Sequence, residues 1–159
     1  MITCRPVDFD SDADTSSLMK LLEEYAMDPM GGGEQLPESS KLGLVEEFKS
    51  RAILNAYLAF KDGEAAGVCV TIDSFSTFAC KPVLNIHDFA VTSKFRRQGV
   101  AKAMLGYVCD RARENGMAKV SLEVLQNNTP AKGCYQALGF EPYVLDAAMG
   151  QAEFWSKKL

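Results

Sequence analysis

Phe89-Ala90-Val91-Thr92-Ser93-Lys94-Phe95-Arg96-Arg97-Gln98-Gly99-Val100-Ala101 joins an apolar, strand-like run to the start of a helix through a basic turn of small residues. The first amides of a helix have no partner inside it and sit at the positive end of its dipole, so anionic oxygens bind there. Gly99 and Ala101 let the backbone approach such an anion closely, while Arg96 and Arg97 add positive charge. The turn therefore suits a pyrophosphate. It lacks G-K-[ST], the lysine and magnesium ligand of a Walker-type site, which disfavours ATP chemistry. A basic turn before a helix is also the ordinary form of a solvated loop, and the stretch alone leaves both readings open.

Upstream, Leu54 to Phe60 and Ala65 to Phe75 are β-rich runs separated by Lys61-Asp62-Gly63-Glu64, whose Asp-Gly pair signals a hairpin. Lys81 to Val91 is a third such run, and three strands without an intervening helix predict an antiparallel meander. Thr3 to Val7 reads as an opening strand. Leu18, Leu21, Leu22 and Tyr25 then mark an amphipathic helix capped by Asp14 or Thr15. The segment from Met27 to Pro37, with Gly31-Gly32-Gly33, reads as a mobile loop leading to a helix that carries Leu42, Val45 and Phe48. Downstream, Val100, Ala103, Met104, Tyr107 and Val108 share one helix face, ahead of Gly116 and a strand from Ala118 to Val124. Thr129-Pro130 opens a further helix that Gly139 stops, and Phe140 to Met149 and Ala152 to Lys157 read as two closing strands. With no repeat or linker, residues 1–159 are expected to form a single α/β domain.

Apolar residues make up 47% and charged residues 24%, a globular composition at a length that buries a core without staples. No apolar run approaches bilayer length, and Met1-Ile2-Thr3-Cys4-Arg5-Pro6 runs straight into acidic residues without the apolar core of a leader. The expected location is cytoplasmic, without a membrane partner. A formal charge of −4 offers no polybasic footprint for nucleic acid, though it suits a cationic amine. Cys4, Cys69, Cys80, Cys109 and Cys134 are odd in number and never form C-x-x-C, so they are expected to be reduced and structural. With His87 the only histidine, no zinc pattern arises and no metal is expected. Oligomeric state stays open, a homodimer among the possibilities.

Two motifs in order shift the balance at the basic turn. Arg96-x-x-Gly99-x-Ala101, preceded by Phe89-Ala90-Val91, is similar to the cofactor motif [QR]-x-x-G-x-[GA] of the GNAT superfamily of N-acetyltransferases. Asn128-x-x-Ala131-x-x-Cys134-Tyr135-x-x-x-Gly139-Phe140 resembles the same family's N-x-x-A-x-x-[apolar]-Y-x-x-x-G-F segment, and a looser likeness runs from Ile2 to Leu159. The resemblance implies a mixed α+β fold, a twisted and mostly antiparallel sheet of about seven strands with helices on both faces. It implies a V-shaped splay between the fourth and fifth strands, and acetyl-CoA as cosubstrate. The residues it assigns to acetyl-CoA are Phe89, Ala90, Val91, Arg96, Arg97, Gln98, Gly99, Val100, Ala101, Asn128 and Tyr135. Among these, the Phe89 and Val91 backbone would bond the pantetheine arm, and the turn amides would take the pyrophosphate.

The resemblance also implies the chemistry: direct attack of an amine on the thioester through a tetrahedral intermediate, with no acetyl-enzyme. The Tyr135 hydroxyl would protonate the leaving thiolate, although its place beside Ala131 and Leu138 also fits core packing. For the base, Glu123 stands first, twelve positions before Tyr135, because Leu122-Glu123-Val124 resembles the ribosomal-protein alanine acetyltransferase branch. Asp88 stands second. His87 is third, its unperturbed pKa of about 6.5 suiting proton transfer and its strand position suiting a plain hydrogen-bonded role equally. A backbone amide, that of Phe89, would meet the oxyanion. Cys134 shares the apolar helix face, so packing explains it better than acyl transfer. Glu23, Glu24, Glu34 and Glu38 flank the loop that covers the acceptor in this family, and solvated helix faces account for them as well. A non-catalytic acyl-CoA-binding module and an aminoacyl-tRNA acetyltransferase are the rival readings, the latter disfavoured by charge.

Overall fold

Alternation of apolar and polar residues builds strands whose side chains point to opposite faces. In a computed structural model describing residues 1–159 this yields one sheet, ordered β1 (Ile2–Pro6), β2 (Leu54–Lys61), β3 (Glu64–Ser76), β4 (Lys81–Val91) and β5 (Val120–Leu122). β1 to β4 pair antiparallel, and β5 lies parallel to β4. The helices are α1 (Asp12–Met27), α2 (Glu38–Ser50), α3 (Val100–Glu114) and α4 (Thr129–Gln136). The parallel step from β4 to β5 needs a crossover, which α3 supplies. None of these helices is long and apolar enough to cross a membrane. The chain divides into two compact units, Met1–Leu122 and Glu123–Leu159.

In the first unit, Leu18, Leu21 and Leu22 of α1 and Phe48 of α2 are buried with Ala56, Leu58, Val68 and Val70 of β2 and β3. Each fully buried leucine contributes about 1.5–3 kcal/mol. The intervening positions face the other side, where the Tyr57 ring meets Tyr107 of α3 edge-on at 5.9 Å. Gly67 lets α3 come close, because a Cβ there would lie 3.0 Å from the Ala90 carbonyl oxygen and 3.1 Å from Met104 Cε. Helices therefore cover both faces, as the resemblance implied.

Two features of β4 shape its far end. Val70 pairs with Asp88 and Thr71 with Ile86, which leaves His87 as the extra residue of a β-bulge. Pairing with β5 runs only from Leu84↔Val120 to Ile86↔Leu122, so β4 continues to Val91 beyond its last β5 partner. The edge of β4 from His87 to Val91 is thus left without a β5 partner.

Several expectations need correction. The sheet has five strands, not about seven: Phe140 to Met149 and Ala152 to Lys157 hold one antiparallel bridge, Val144↔Gln151, around a 3₁₀ turn at Ala147–Met149. The large apolar side chains there, including Leu145, Phe154 and Trp155, are exposed, and a two-stranded ribbon burying no face is marginal in water. β5 is shorter than Ala118 to Val124. Ser11, rather than Asp14 or Thr15, caps α1. Asp14, itself buried, is diverted into a pair with the exposed Arg5, whose Nη2 donates to its Oδ1 at 2.7 Å while the Asp8 amide donates to its Oδ2 at 2.9 Å. The expected mobile loop folds back on α1: Gly33 and Glu34 amides donate to the Ala26 carbonyl at 2.9 and 3.2 Å, and Leu36 N to Glu23 Oε2 at 3.3 Å.

Candidate active site

The quoted stretch runs off β4 into a 3₁₀ turn, Ser93–Phe95, and reaches α3 through two left-handed residues, Arg97 at φ 59° and Gly99 at φ 85°. Phe95 is buried and anchors the turn, while the Thr92 amide donates to the Ala66 carbonyl at 3.0 Å. Gly99 is the residue type that adopts such a φ without strain, whereas Arg97 bears a cost of about 1–2 kcal/mol. The first helical bond runs from Ala103 N to Gly99 O at 3.0 Å. The Val100, Ala101 and Lys102 amides precede it, and no side chain caps this terminus. An oxyanion fits here, since the end of the helix offers amide donors, positive dipole and the neighbouring Arg97 charge.

The other arginine is already engaged. Arg96 Nε donates to the Val91 carbonyl at 3.1 Å and its Nη2 to Asp28 Oδ2 at 2.8 Å. Asp28 also accepts the Met30 amide at 2.9 Å, and these two bonds hold its carboxyl below the usual range. One turn earlier in α1, Glu24 accepts the Thr92 hydroxyl at 2.7 Å and the Ser93 amide at 2.8 Å. Burial pushes the Glu24 carboxyl up, but those bonds and the charge of Arg96 outweigh it and keep the group below its ordinary value. Leu21, Glu24, Tyr25, Ala90, Val91, Thr92 and Arg96 together line a small cleft between α1 and the end of β4.

Asp88 pairs across the sheet with Val70, on the α1 side, and follows the bulge at His87. Burial raises its carboxyl above the ordinary aspartate range, partly opposed by the adjacent His87. The Tyr25 phenol is raised by its own burial and then by Asp88 and Asp28, so the three form one electrostatic neighbourhood. His87 itself is exposed.

In the second unit, Glu123 is the first residue and is exposed. Asn128 caps α4, its Oδ1 accepting the Ala131 amide at 3.3 Å. Tyr135 is buried, its ring centroid 6.0 Å from that of Phe140, and its carbonyl accepts the Leu138 and Phe140 amides at 3.0 Å. Cys134 is half-buried and all five cysteines are free thiols. No group of His, Cys, Asp and Glu is placed to hold a metal ion.

Among the predicted residues, the structure brings Asp88, Phe89 to Val91 and Arg96 to Ala101 together at one end of the first unit. It adds Asp28 and Thr92, for which sequence reasoning found no site role, and Glu24, which the sequence offered only as a carboxylate flanking the acceptor loop. One signal for Glu24 was present: a carboxylate three residues after Leu21, at the edge of the apolar stripe of α1.

The family model described as Acetyltransferase (GNAT) family matches residues 18–140. Streptothricin acetyltransferase from Streptomyces lavendulae is 33% identical over 90 residues, 57% of this chain and 46% of that protein. The [Ribosomal protein bS18]-alanine N-acetyltransferase of Escherichia coli strain K12 is 34% identical over 55 residues, 35% of this chain and 37% of the relative. The matches thus span less than half the length of these curated relatives. A solved structure of AAC(6')-Iy in complex with the bisubstrate analogue CoA-S-monomethyl-acetylneamine superposes with a TM-score of 0.75 at 21% identity, covering 100% of this chain and 99% of that one.

Proposed function

This chain belongs to the acetyltransferase (GNAT) family, and from that premise we propose that it moves an acetyl group from acetyl-CoA to a primary amine of a small molecule, peptide or protein by direct attack in a ternary complex. The observation that carries the reading is the uncapped N-terminus of α3 behind Gly99, set at the end of a strand that outruns its β5 partner. Val100 and Ala101 amides, with Arg97 and Gln98 beside them, would hold the pyrophosphate. The Phe89-Ala90-Val91 backbone would align the pantetheine arm as a further strand. Arg96 would add charge from its place against Asp28 and Val91. When bound, acetyl-CoA supplies an activated thioester.

The remaining roles fall to side chains of the chain itself. A carboxylate takes the proton from the amine: Glu123 by its resemblance to the ribosomal-protein alanine branch, with Asp88 as the second reading, favoured by its raised pKa. Tyr135 donates a proton to the departing thiolate, and Asn128 steadies the α4 turn that carries it. The acceptor is an amine class rather than a named compound, since one relative is named for streptothricin and the other for an alanine of ribosomal protein bS18.

CoA release measured with an amine panel tests this directly. Amine-dependent release is expected, and Tyr135→Phe should keep CoA affinity while lowering turnover. CoA binding without release for any amine would leave a non-catalytic acyl-CoA module instead.

A further inference from the structure

At the opposite end of α3 from the Gly99 turn, Asn55, Tyr57, Asp73, Arg111, Asn115 and Met117 line a cavity of about 190 Å³ between the sheet and the last turn of the helix. Arg111 lies eleven residues beyond Val100, so this cavity is about 16 Å along the helix from the acyl-CoA turn. On two of these wall residues a polar atom is buried without a protein hydrogen bond, Oδ1 of Asp73 and Nε of Arg111. Buried polar groups normally find partners, and leaving one unmade costs about 1–3 kcal/mol. The two side chains do not satisfy each other. Asp73 forms no ion pair, and Arg111 turns its Nη1 to Glu114 at 2.9 Å. The cavity thus keeps an acceptor carboxylate and a guanidinium donor apart on its walls, with two asparagines beside them.

Tyr57 and Asp73 share a sheet face by the pleat, since Tyr57 pairs with Cys69 and Asp73 lies four residues further along β3. Burial raises the Tyr57 phenol, and among the charges reaching it Arg111 lowers it and Asp73 raises it. Burial also pushes the Asp73 carboxyl up, as befits an acid still lacking a cationic neighbour. One water accounts for about 30 Å³ of liquid, so the space exceeds a single bridging molecule.

We infer that this cavity is a second binding site, separate from the acetyl-transfer site, for a small zwitterion of free amino-acid type, its ammonium on Asp73 and its carboxylate on Arg111. Opposite charges held apart favour a ligand carrying both signs over a polyol or a simple anion, because each charge-assisted bond is about twice as strong as a neutral one. Such a ligand bridges β3 and the end of α3, and binding only the native state it raises the melting temperature.

The test is an amide-resolved NMR titration of the full chain, without acetyl-CoA, using glycine, L-alanine and L-serine, and in parallel ethanolamine, propionate and glycerol. The amino acids should give saturable shifts at Asn55, Tyr57, Asp73 and Arg111, with the single-charge compounds and glycerol much weaker. Asp73→Asn and Arg111→Gln should each weaken binding by roughly tenfold or more, while acetyl-CoA still shifts the Gly99 turn in both. Two variants guard against one failing to fold. The inference is overturned if no amino acid gives a saturable response at millimolar concentration, if glycerol matches the amino acids, or if both variants bind as tightly as wild type.

Discussion

Arg96 donates to Asp28 at 2.8 Å, tying the turn before α3 to the residue that ends α1, 68 positions earlier in the chain. Glu24 makes a second tie to the same turn through Thr92 and Ser93. The C-terminal end of α1 is therefore anchored to the turn before α3. The two ties differ in kind, because Arg96 is about half exposed whereas the Glu24 carboxylate takes two hydrogen bonds from a partly buried position.

The exposed tie should be weak. A double-mutant cycle of Asp28→Asn and Arg96→Gln is expected to give a coupling below about 1 kcal/mol that shrinks further with added salt. Urea unfolding at low and high ionic strength measures it, and a larger, salt-insensitive coupling would mean the pair is a structural clamp.

The Glu24 tie should show in acid. Its folded pKa is depressed, so its stabilisation is complete above the ordinary glutamate value of about 4.3 and is lost as pH falls from there through the lower folded value. Glu24→Gln should lower stability at neutral pH and flatten the loss on acidification. Unfolding midpoints followed from neutrality to about pH 3 give the comparison; parallel curves for the two proteins would sink the prediction.

Glycines distinguish the loop from the helix that follows it. A Cβ at Gly31 would sit 1.9 Å from the Tyr25 carbonyl oxygen, whereas one at Gly43, inside α2, meets nothing within 4 Å. Gly31→Ala should cost about 1–3 kcal/mol through forced backbone shifts, and Gly43→Ala should gain about 0.5–1 kcal/mol from helix propensity. Thermal melts of the two single variants should move in opposite directions.

What was legible in the sequence is what short spacing encodes. The bounds of β2, β3 and β4 follow from alternation and the Asp62-Gly63 turn, and α3 and α4 from stripes bounded by Gly99, Pro130 and Gly139. What was not legible depends on partners far along the chain. Asp14 looked like a cap because nothing local reveals Arg5 as its partner, Glu24 fitted a solvated helix face for the same reason, and nothing near Asp28 in the sequence marks Arg96 as its partner. The His87 bulge and the left-handed Arg97 leave no mark in composition. Phe140 to Lys157 carries strand-like residues yet forms one bridge, since propensity without a buried face does not build a sheet.

The proton acceptor divides Glu123 from Asp88. Glu123→Gln is predicted to lower kcat/KM by about 10²–10⁴-fold and to remove an ionisation from the acidic limb of its pH profile, with Asp88→Asn leaving that limb intact. The raised pKa of Asp88 sets the alternative: if Asp88→Asn alone removes the limb, Asp88 is the base. Were neither to alter it, His87 through water or an amine arriving deprotonated would take that place.

The most direct measurement of the central claim is an amide-resolved titration of the chain with acetyl-CoA. The account predicts saturable shifts concentrated at Val91 and at Gly99, Val100 and Ala101, with affinity reduced in the Arg96→Ala, Arg97→Ala double variant and declining as salt is added. Saturable binding whose shifts spare the Gly99 turn, or no binding at millimolar acetyl-CoA, would contradict it.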